Sequence, residues 1–329
     1  MDKGAIDQML REKTHLAVLE SRRKWRERPC PVDKPPGSSL TFMGTGGNPE
    51  AVIGQKPRTA GFILDIGNLY MWVDPGPGAL QAAQENNIDL GVLDAVYISH
   101  GHIDHYAGAE SLVEGMCWAM SARRGRILGP KEIFEDEHVI SEYHQGDSGR
   151  SGYFGGPEVI HLKPGKTIEI EGVLITPKRA YHGSQNYGFI LEYKGFRLGY
   201  TGDTNYIRTY RTKDGIKNVD ARGIIMDFEE IVEYRQDVKE AYMNVDVLIA
   251  NITTHNAWAH RHITTLGLPH LLEDSKTKLV ILSHFNYCCV EPEDLRETMA
   301  QYVEKASGIP TRPAYDGLKV ELGKLIAGS

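Results

Sequence analysis

The sequence predicts an α/β (α+β) protein in which two packed β-sheets are covered by helices. Three observations lead there. Short apolar runs bounded by turn residues recur in both halves of the chain, among them Leu69–Val73, Ala95–Ile98, Tyr187–Tyr193 and Leu279–Leu282. Helix-length segments lie between and around these runs, which places helices outside the strands rather than in a separate bundle. A chain of 329 residues with 41 % apolar side chains can fill a substantial core.

Residues 3–28 contain no proline and set Ile6, Met9, Leu10, Leu16 and Ala17 on one helical stripe. Arg22, Arg23, Lys24, Arg26 and Arg28 follow. They read as the solvated basic end of a docked helix in preference to an arm for a phosphate-bearing partner, because charge runs are commonly solvated faces. Four prolines between Pro29 and Pro36 separate this extension, residues 1–36, from a body over 37–329. The body opens with Leu40-Thr41-Phe42-Met43 and then Gly44-Thr45-Gly46-Gly47, read as a tight turn. Strands over Gly61–Ile66 and Leu69–Val73 meet at Gly67-Asn68, a two-residue hairpin signal. The second ends in Asp74-Pro75-Gly76-Pro77-Gly78, where stiff turn residues fix an acid at a strand end.

A buried strand, Ala95-Val96-Tyr97-Ile98, precedes a helix over Tyr106–Cys117. Gln145–Gly156, rich in glycine and serine, reads as a surface loop and candidate lid. Strands return at Thr167–Ile170, Val173–Thr176, Tyr187–Tyr193 and Arg197–Tyr200, with Lys194-Gly195 turning the last hairpin. Residues 205–244 are polar and charged, with a helix-like stretch Phe228–Met243, and read as an insertion before the buried strand Val245–Ala250. Leu279–Leu282 is a further buried strand, and Pro292–Ala306 a closing helix.

The formal charge is −7, and residues 1–36 carry nine Lys or Arg against six Asp or Glu, which leaves −10 on the body. So acidic a body disfavours a wide grip on extended nucleic acid, but it admits a short nucleotide if bound cations supply local positive charge. No apolar run approaches the roughly 20 residues that span a bilayer, and the first residues lack a signal-peptide core. Four cysteines, Cys30, Cys117, Cys288 and Cys289, form no CxxC pair. A reduced, cytoplasmic protein without a membrane partner is the expectation.

Ser99-His100-Gly101-His102-Ile103-Asp104-His105 is the densest chemistry in the chain. Three imidazoles and a carboxylate within six residues, on a strand-to-helix turn, can converge on metal; such ligands suit zinc and also manganese or iron. Asp74, His182, Asp203 and His284 repeat one pattern, a metal-competent side chain at or near the end of an apolar run. Alone, each has a plain reading as a turn cap, a turn former or a hydrogen-bonded core histidine. Together with 100–105 they point to one site.

HxHxDH, a downstream histidine, Gly202-Asp203-Thr204 after a strand and Ser283-His284 after a buried strand resemble the metallo-β-lactamase superfamily, from about Leu40 to Tyr315. Gly44-Thr45-Gly46-Gly47, Arg58 and Ala259-His260-Arg261-His262-Ile263-Thr264 resemble its ribonuclease Z-like branch of metal-dependent phosphodiesterases. The resemblance implies an αββα sandwich of two mixed β-sheets flanked by helices, with a binuclear site at the sandwich edge. His100, His102 and His182 would hold one divalent ion, and Asp104, His105 and His284 the other. Asp203 would bridge them, and Asp74 would orient a ligand. The ions, zinc first and manganese or iron next, would present a bridging hydroxide to a phosphodiester. His262 matches the family's proton donor, with His255 and His260 as rivals.

The expected function is therefore hydrolysis of a nucleotide-type diester, a cyclic or small nucleotide or an RNA 3′ end, by a metal-dependent hydrolase. The tRNA-gripping arm of ribonuclease Z has no clear counterpart between His105 and His182, which favours a compact substrate. Hydrolysis of a carboxylic or sulfuric ester or a lactone at the same site is the alternative, because fold does not fix substrate. A catalytically idle metal-binding protein is a third reading, opposed by the filled ligand positions. Kinship also suggests a homodimer.

Overall fold

The structure is a computed structural model that describes residues 1–29, 32–146, 155–219, 229–255 and 262–328. The chain divides into two units, residues 1–35 and 36–329. The first holds helix α1, Lys3–Arg26, whose start is capped by the Asp2 carboxylate accepting from the Ala5 N–H. Arg11 pairs with Asp7, and Arg23 with Glu20 and Glu27, at helical spacing along its exposed surface.

The second unit is built on two seven-stranded sheets. The first contains β1 (Gly37–Phe42), β2 (Phe62–Gly67), β3 (Leu69–Val73), β4 (Ala95–Tyr97), β5 (Arg123–Gly129) and β6 (Gly156–His161), with β17 (Lys319–Glu321) beside β1. The second runs in the order β16 (Thr311–Pro313), β15 (Leu279–Ser283), β14 (Val247–Asn251), β10 (Phe196–Tyr200), β9 (Tyr187–Tyr193), β8 (Val173–Arg179), β7 (Ile168–Ile170). Both are mixed: β1–β2–β3 is antiparallel and β3–β4–β5–β6 parallel, while β7 to β10 alternate and β10–β14–β15–β16 is parallel. The alternation of side chains along each strand sorts the core into layers. Leu64, Met71 and Tyr97 of the first sheet meet Ile175, Phe189, Leu198 and Ile249 of the second. The opposite face of the first sheet, with Ile63, Trp72 and Val96, packs on helices α3 (Ala79–Glu85) and α5 (Ala109–Met116). The outer face of the second, with Ile190, Leu248 and Val280, packs on α6 (Gln236–Tyr242), α7 (Leu268–Leu272) and α8 (Arg296–Ser307). This is the expected αββα sandwich.

Most elements stand where the sequence places them. Where the sequence predicts one helix over Tyr106–Cys117, the structure has two, α4 (Ile103–Tyr106), which carries Asp104 and His105 of the cluster, and α5. A short helix α2 (Asn48–Gly54) follows the glycine cluster, where only a turn was read. In the insertion, Phe228 lies outside the described residues; the rest of the stretch read as helical begins as a strand, β13 (Glu230–Tyr234), before α6. With β11 (Ile207–Thr212) and β12 (Gly215–Asn218) it forms a separate three-stranded sheet, order β12-β11-β13. The core of the expected lid, residues 147–154, lies outside the described residues, as do Cys30 and His260.

Candidate metal centre

Strand ends build the site. β4 leads through Ile98 and Ser99 into His100, His102, Asp104 and His105; β8 leads to His182, β10 to Asp203 and β15 to His284. Side chains from both sheets therefore converge at one edge of the sandwich. Two of the positions carry uncommon backbone: Asp74 at φ +51° and His284 at φ +63° are left-handed without being glycine. Such conformations persist where surrounding contacts hold them, characteristically at functional sites.

Asp203 Oδ2 is the hub. It lies 3.2 Å from His105 Nε2, 3.3 Å from His284 Nε2, 3.7 Å from His182 Nε2 and 3.8 Å from His100 Nε2. Asp104 Oδ2 lies 3.3 Å from His284 Nε2 and 3.5 Å from His105 Nε2. His102 Nδ1 sits 3.0 Å from His182 Nε2. Two triads have their ligand atoms mutually within 4.8 Å: His100, His102 and His182, and Asp104, His105 and His284. Asp203 joins them, grouping with His100 and His105 and also with His182 and His262.

Three buried nitrogens in this cluster, His100 Nε2, His262 Nδ1 and His284 Nδ1, have no hydrogen-bond partner, and His105 Nε2 faces His284 Nε2 at 3.2 Å. Buried polar atoms are ordinarily paired. Unpartnered imidazole nitrogens opposed to one another and to carboxylate oxygens are the donor set of divalent metal ions, and these residues fit them.

The charges are as strongly coupled as the distances. Burial alone would raise Asp203, but His284, His105 and His262 hold its carboxyl well below the usual range. His105 is driven the other way: burial lowers it, and Asp203, Asp104 and Asp74 together push it well above a free imidazole. Burial, reinforced by the neighbouring histidines, keeps His100 well below its usual value; burial likewise depresses His262.

A second ring of contacts orients the first. Asp74 Oδ2 lies 2.9 Å from His105 Nδ1, which leaves Nε2 to face the cluster. The Ser99 N–H and hydroxyl both donate to Asp74, and the Tyr200 hydroxyl donates to it at 2.5 Å. Asn251 Nδ2 lies within 2.9 Å of both Asp203 Oδ1 and the Tyr200 oxygen. Tyr200 and Asn251 were not singled out from the sequence. Each is nonetheless a polar group closing an apolar strand, the same signal that marked Asp203 and His284.

The glycine cluster serves the centre by proximity. A Cβ on Gly47 would fall 2.1 Å from His284 Cε1, so only glycine lets the backbone lie against that ring. The Asn48 N–H then donates to Asp104 Oδ2 at 3.0 Å. Arg58 is turned elsewhere, to Glu85. A cleft of about 560 Å³ opens over the cluster, walled by Asn48, Ile53, Ile103, Asp104 and His262. His262 is buried, with Nδ1 3.8 Å from Asp203 Oδ2. His255 is not part of this wall; it bonds Thr265 and packs on Tyr302.

The beta-lactamase superfamily domain matches residues 70–222 of this chain. An uncharacterised protein of Methanocaldococcus jannaschii is 32 % identical over 86 % of the chain and 94 % of its own length. Ribonuclease Z of Methanosarcina acetivorans is 28 % identical over 46 % of the chain, a match spanning 47 % of that enzyme. The metallo-beta-lactamase fold protein YhfI from Bacillus subtilis superposes over 86 % of the chain and 98 % of its own, with TM-score 0.63 at 16 % identity, a likeness of fold. The chain belongs to the beta-lactamase superfamily and is a metal-dependent hydrolase. Among the described residues, no helix is long and apolar enough to cross a membrane.

Proposed function

We propose that this hydrolase cleaves a nucleotide-type phosphodiester with two divalent ions, zinc first among them. His100, His102 and His182 would hold one ion and Asp104, His105 and His284 the other, with Asp203 placed between the two triads. The observation that carries the reading is the single oxygen Asp203 Oδ2 standing within 3.8 Å of ring nitrogens from both triads. Two ions so held supply an acidified water and the positive charge that an anionic in-line transition state needs.

The remaining roles belong to the chain. Asp74 fixes the ring of His105, backed by Ser99 and Tyr200. Asn251 fixes the carboxylate of Asp203. His262 faces the cleft beside Asp203, and we assign it the proton given to the leaving oxygen. The match to ribonuclease Z supports phosphodiester chemistry, and the acidic body of the chain favours a compact nucleotide over extended RNA. The three described cysteines are free, in keeping with work in a reducing cytoplasm.

A carboxylic or sulfuric ester or a lactone is the second reading, favoured by one feature: Pro49, Val52, Ile53 and Ile103 give the cleft an apolar wall, and among the described residues no Lys or Arg lines it. Hydrolysis of bis(p-nitrophenyl) phosphate by metal-loaded protein separates the two. Nitrophenol release that falls at least about 100-fold in His102→Ala is the expected result. No release from protein shown to hold two ions, with turnover of a lactone instead, would reverse the assignment.

A further inference from the structure

The guanidinium of Arg235 lies 4.1 Å from the ring centre of Tyr181, and that of Arg179 lies 5.0 Å from the same ring. Tyr181 immediately precedes the ligand His182. Its backbone N–H donates to the Thr204 hydroxyl and its carbonyl accepts from the Asn205 N–H, both just beyond Asp203. This aromatic ring is thus tied to two segments of the metal centre. Neither arginine forms an ion pair with a carboxylate among the described residues, whereas Arg208, beside them, is paired with Glu233. Asp237, the acid at this place, accepts the hydroxyl hydrogen of Tyr181. Arg235 is half-buried and its Nε is a buried donor with no partner.

From these contacts we infer that Arg179 and Arg235, stacked on Tyr181, form a subsite for a second phosphate of the substrate, beside the group that is cleaved. The inference rests on the phosphodiester reading. Planar guanidinium forks match phosphate oxygens two at a time, and a flat aromatic support holds them in place. Burial lowers Arg235, Tyr181 and Asp237 offset part of this, and the charges of Arg208 and Arg179 add to it, so Arg235 keeps a net deficit that a bound anion reduces. Among the described residues no Lys or Arg lines the cleft, so a further negative charge on the substrate takes its partner from the arginine pair. The arrangement also gives the insertion a purpose: Arg235 directly follows β13, and its N–H donates to Tyr206 at the foot of β11. The substrate class becomes a nucleotide diester carrying an additional phosphate.

Titration of the metal-loaded full chain with inorganic phosphate tests the site by calorimetry. Two phosphates bind per chain, one at the metal pair and one at the arginines. Arg179→Gln, an exposed position expected to fold normally, weakens one of them about tenfold. Arg235→Lys, which keeps charge but not the planar stack, weakens the same one, and His102→Ala removes only the other. A wild-type chain that binds phosphate at the metals alone, or an Arg179→Gln chain that binds as wild type does, overturns the proposal. A kinetic arm compares the p-nitrophenyl ester of thymidine 5′-phosphate with the same ester carrying a 3′-phosphate. Wild type prefers the latter about tenfold in kcat/KM, and Arg179→Gln loses the preference. Equal preference in both proteins contradicts the subsite. Turnover of neither ester counts against the phosphodiester reading, while the phosphate titration still decides the arginine site.

Discussion

Asp203 and its attendant Asn251 show how the geometry of the candidate site is held. One carboxylate oxygen faces five imidazoles, and the other is fixed by the Asn251 amide. Asn251→Ala is therefore expected to lower kcat roughly 10–100-fold with two ions still bound, measured by steady-state kinetics beside metal analysis. Gly47→Ala should act differently. A methyl group there collides with the His284 ring, so the ion of the Asp104–His105–His284 triad is lost first, and elemental analysis should find about one ion per chain. The clustering of the candidate ligands is legible in the sequence because histidine and aspartate at the ends of apolar runs are conspicuous. Tyr200 and Asn251 were not, since a tyrosine or asparagine closing a strand has many ordinary uses; only the pairing of β10 with β14 brings them together.

Hairpin chemistry made β9–β10 readable at once. Lys194 and Gly195, at φ +49° and +87°, form the two-residue turn, with Tyr193 registered opposite Phe196. Gly195→Ala should cost about 1 kcal/mol, read from urea unfolding, because alanine resists that backbone. Other elements were hidden by their polarity. β5 begins Arg123-Arg124-Gly125-Arg126, and its arginines pair with Glu158 and Asp94 instead of lining a core face. β13 looked helical in isolation, and its pairing with β11 overrides that local preference. The loop after the π-turn at Glu132–Asp136 is tied to α5 by His144, placed 3.1 Å from Glu110 and 3.3 Å from Glu114. Burial opposes ionisation of Glu110, but the Ser141 N–H and His144 hold its carboxyl below the usual range. Its native value thus lies below its unfolded one. The stabilisation it gives is complete above the unfolded value and disappears as pH falls through the native one. Glu110→Gln should flatten the loss of stability between about pH 5 and pH 3, a change visible in denaturant midpoints.

At the largest scale, the candidate metal ligands gather at one edge of the two-sheet unit. His100, His102, Asp104 and His105 extend from the first sheet, and His182, Asp203 and His284 from the second, so ions held as proposed would tie the two layers. Sequence order could suggest that convergence but not its cause, which is that parallel strands β4 and β15 both run toward the same edge and deliver their following residues there. Without ions, three buried ring nitrogens of the cluster, on His100, His262 and His284, have no hydrogen-bond partner to satisfy them. Ions bind the folded arrangement far better than the unfolded chain, so their removal must lower stability by mass action. Chelation is expected to reduce Tm by about 5 °C or more, the order given by a few kcal/mol in a domain of this size. His102→Ala, which opens one triad, should start lower and lose less on chelation. An unchanged Tm after complete, measured removal of both ions would mean that packing alone holds the sheet edges together, and that the cluster's charges are balanced without metal.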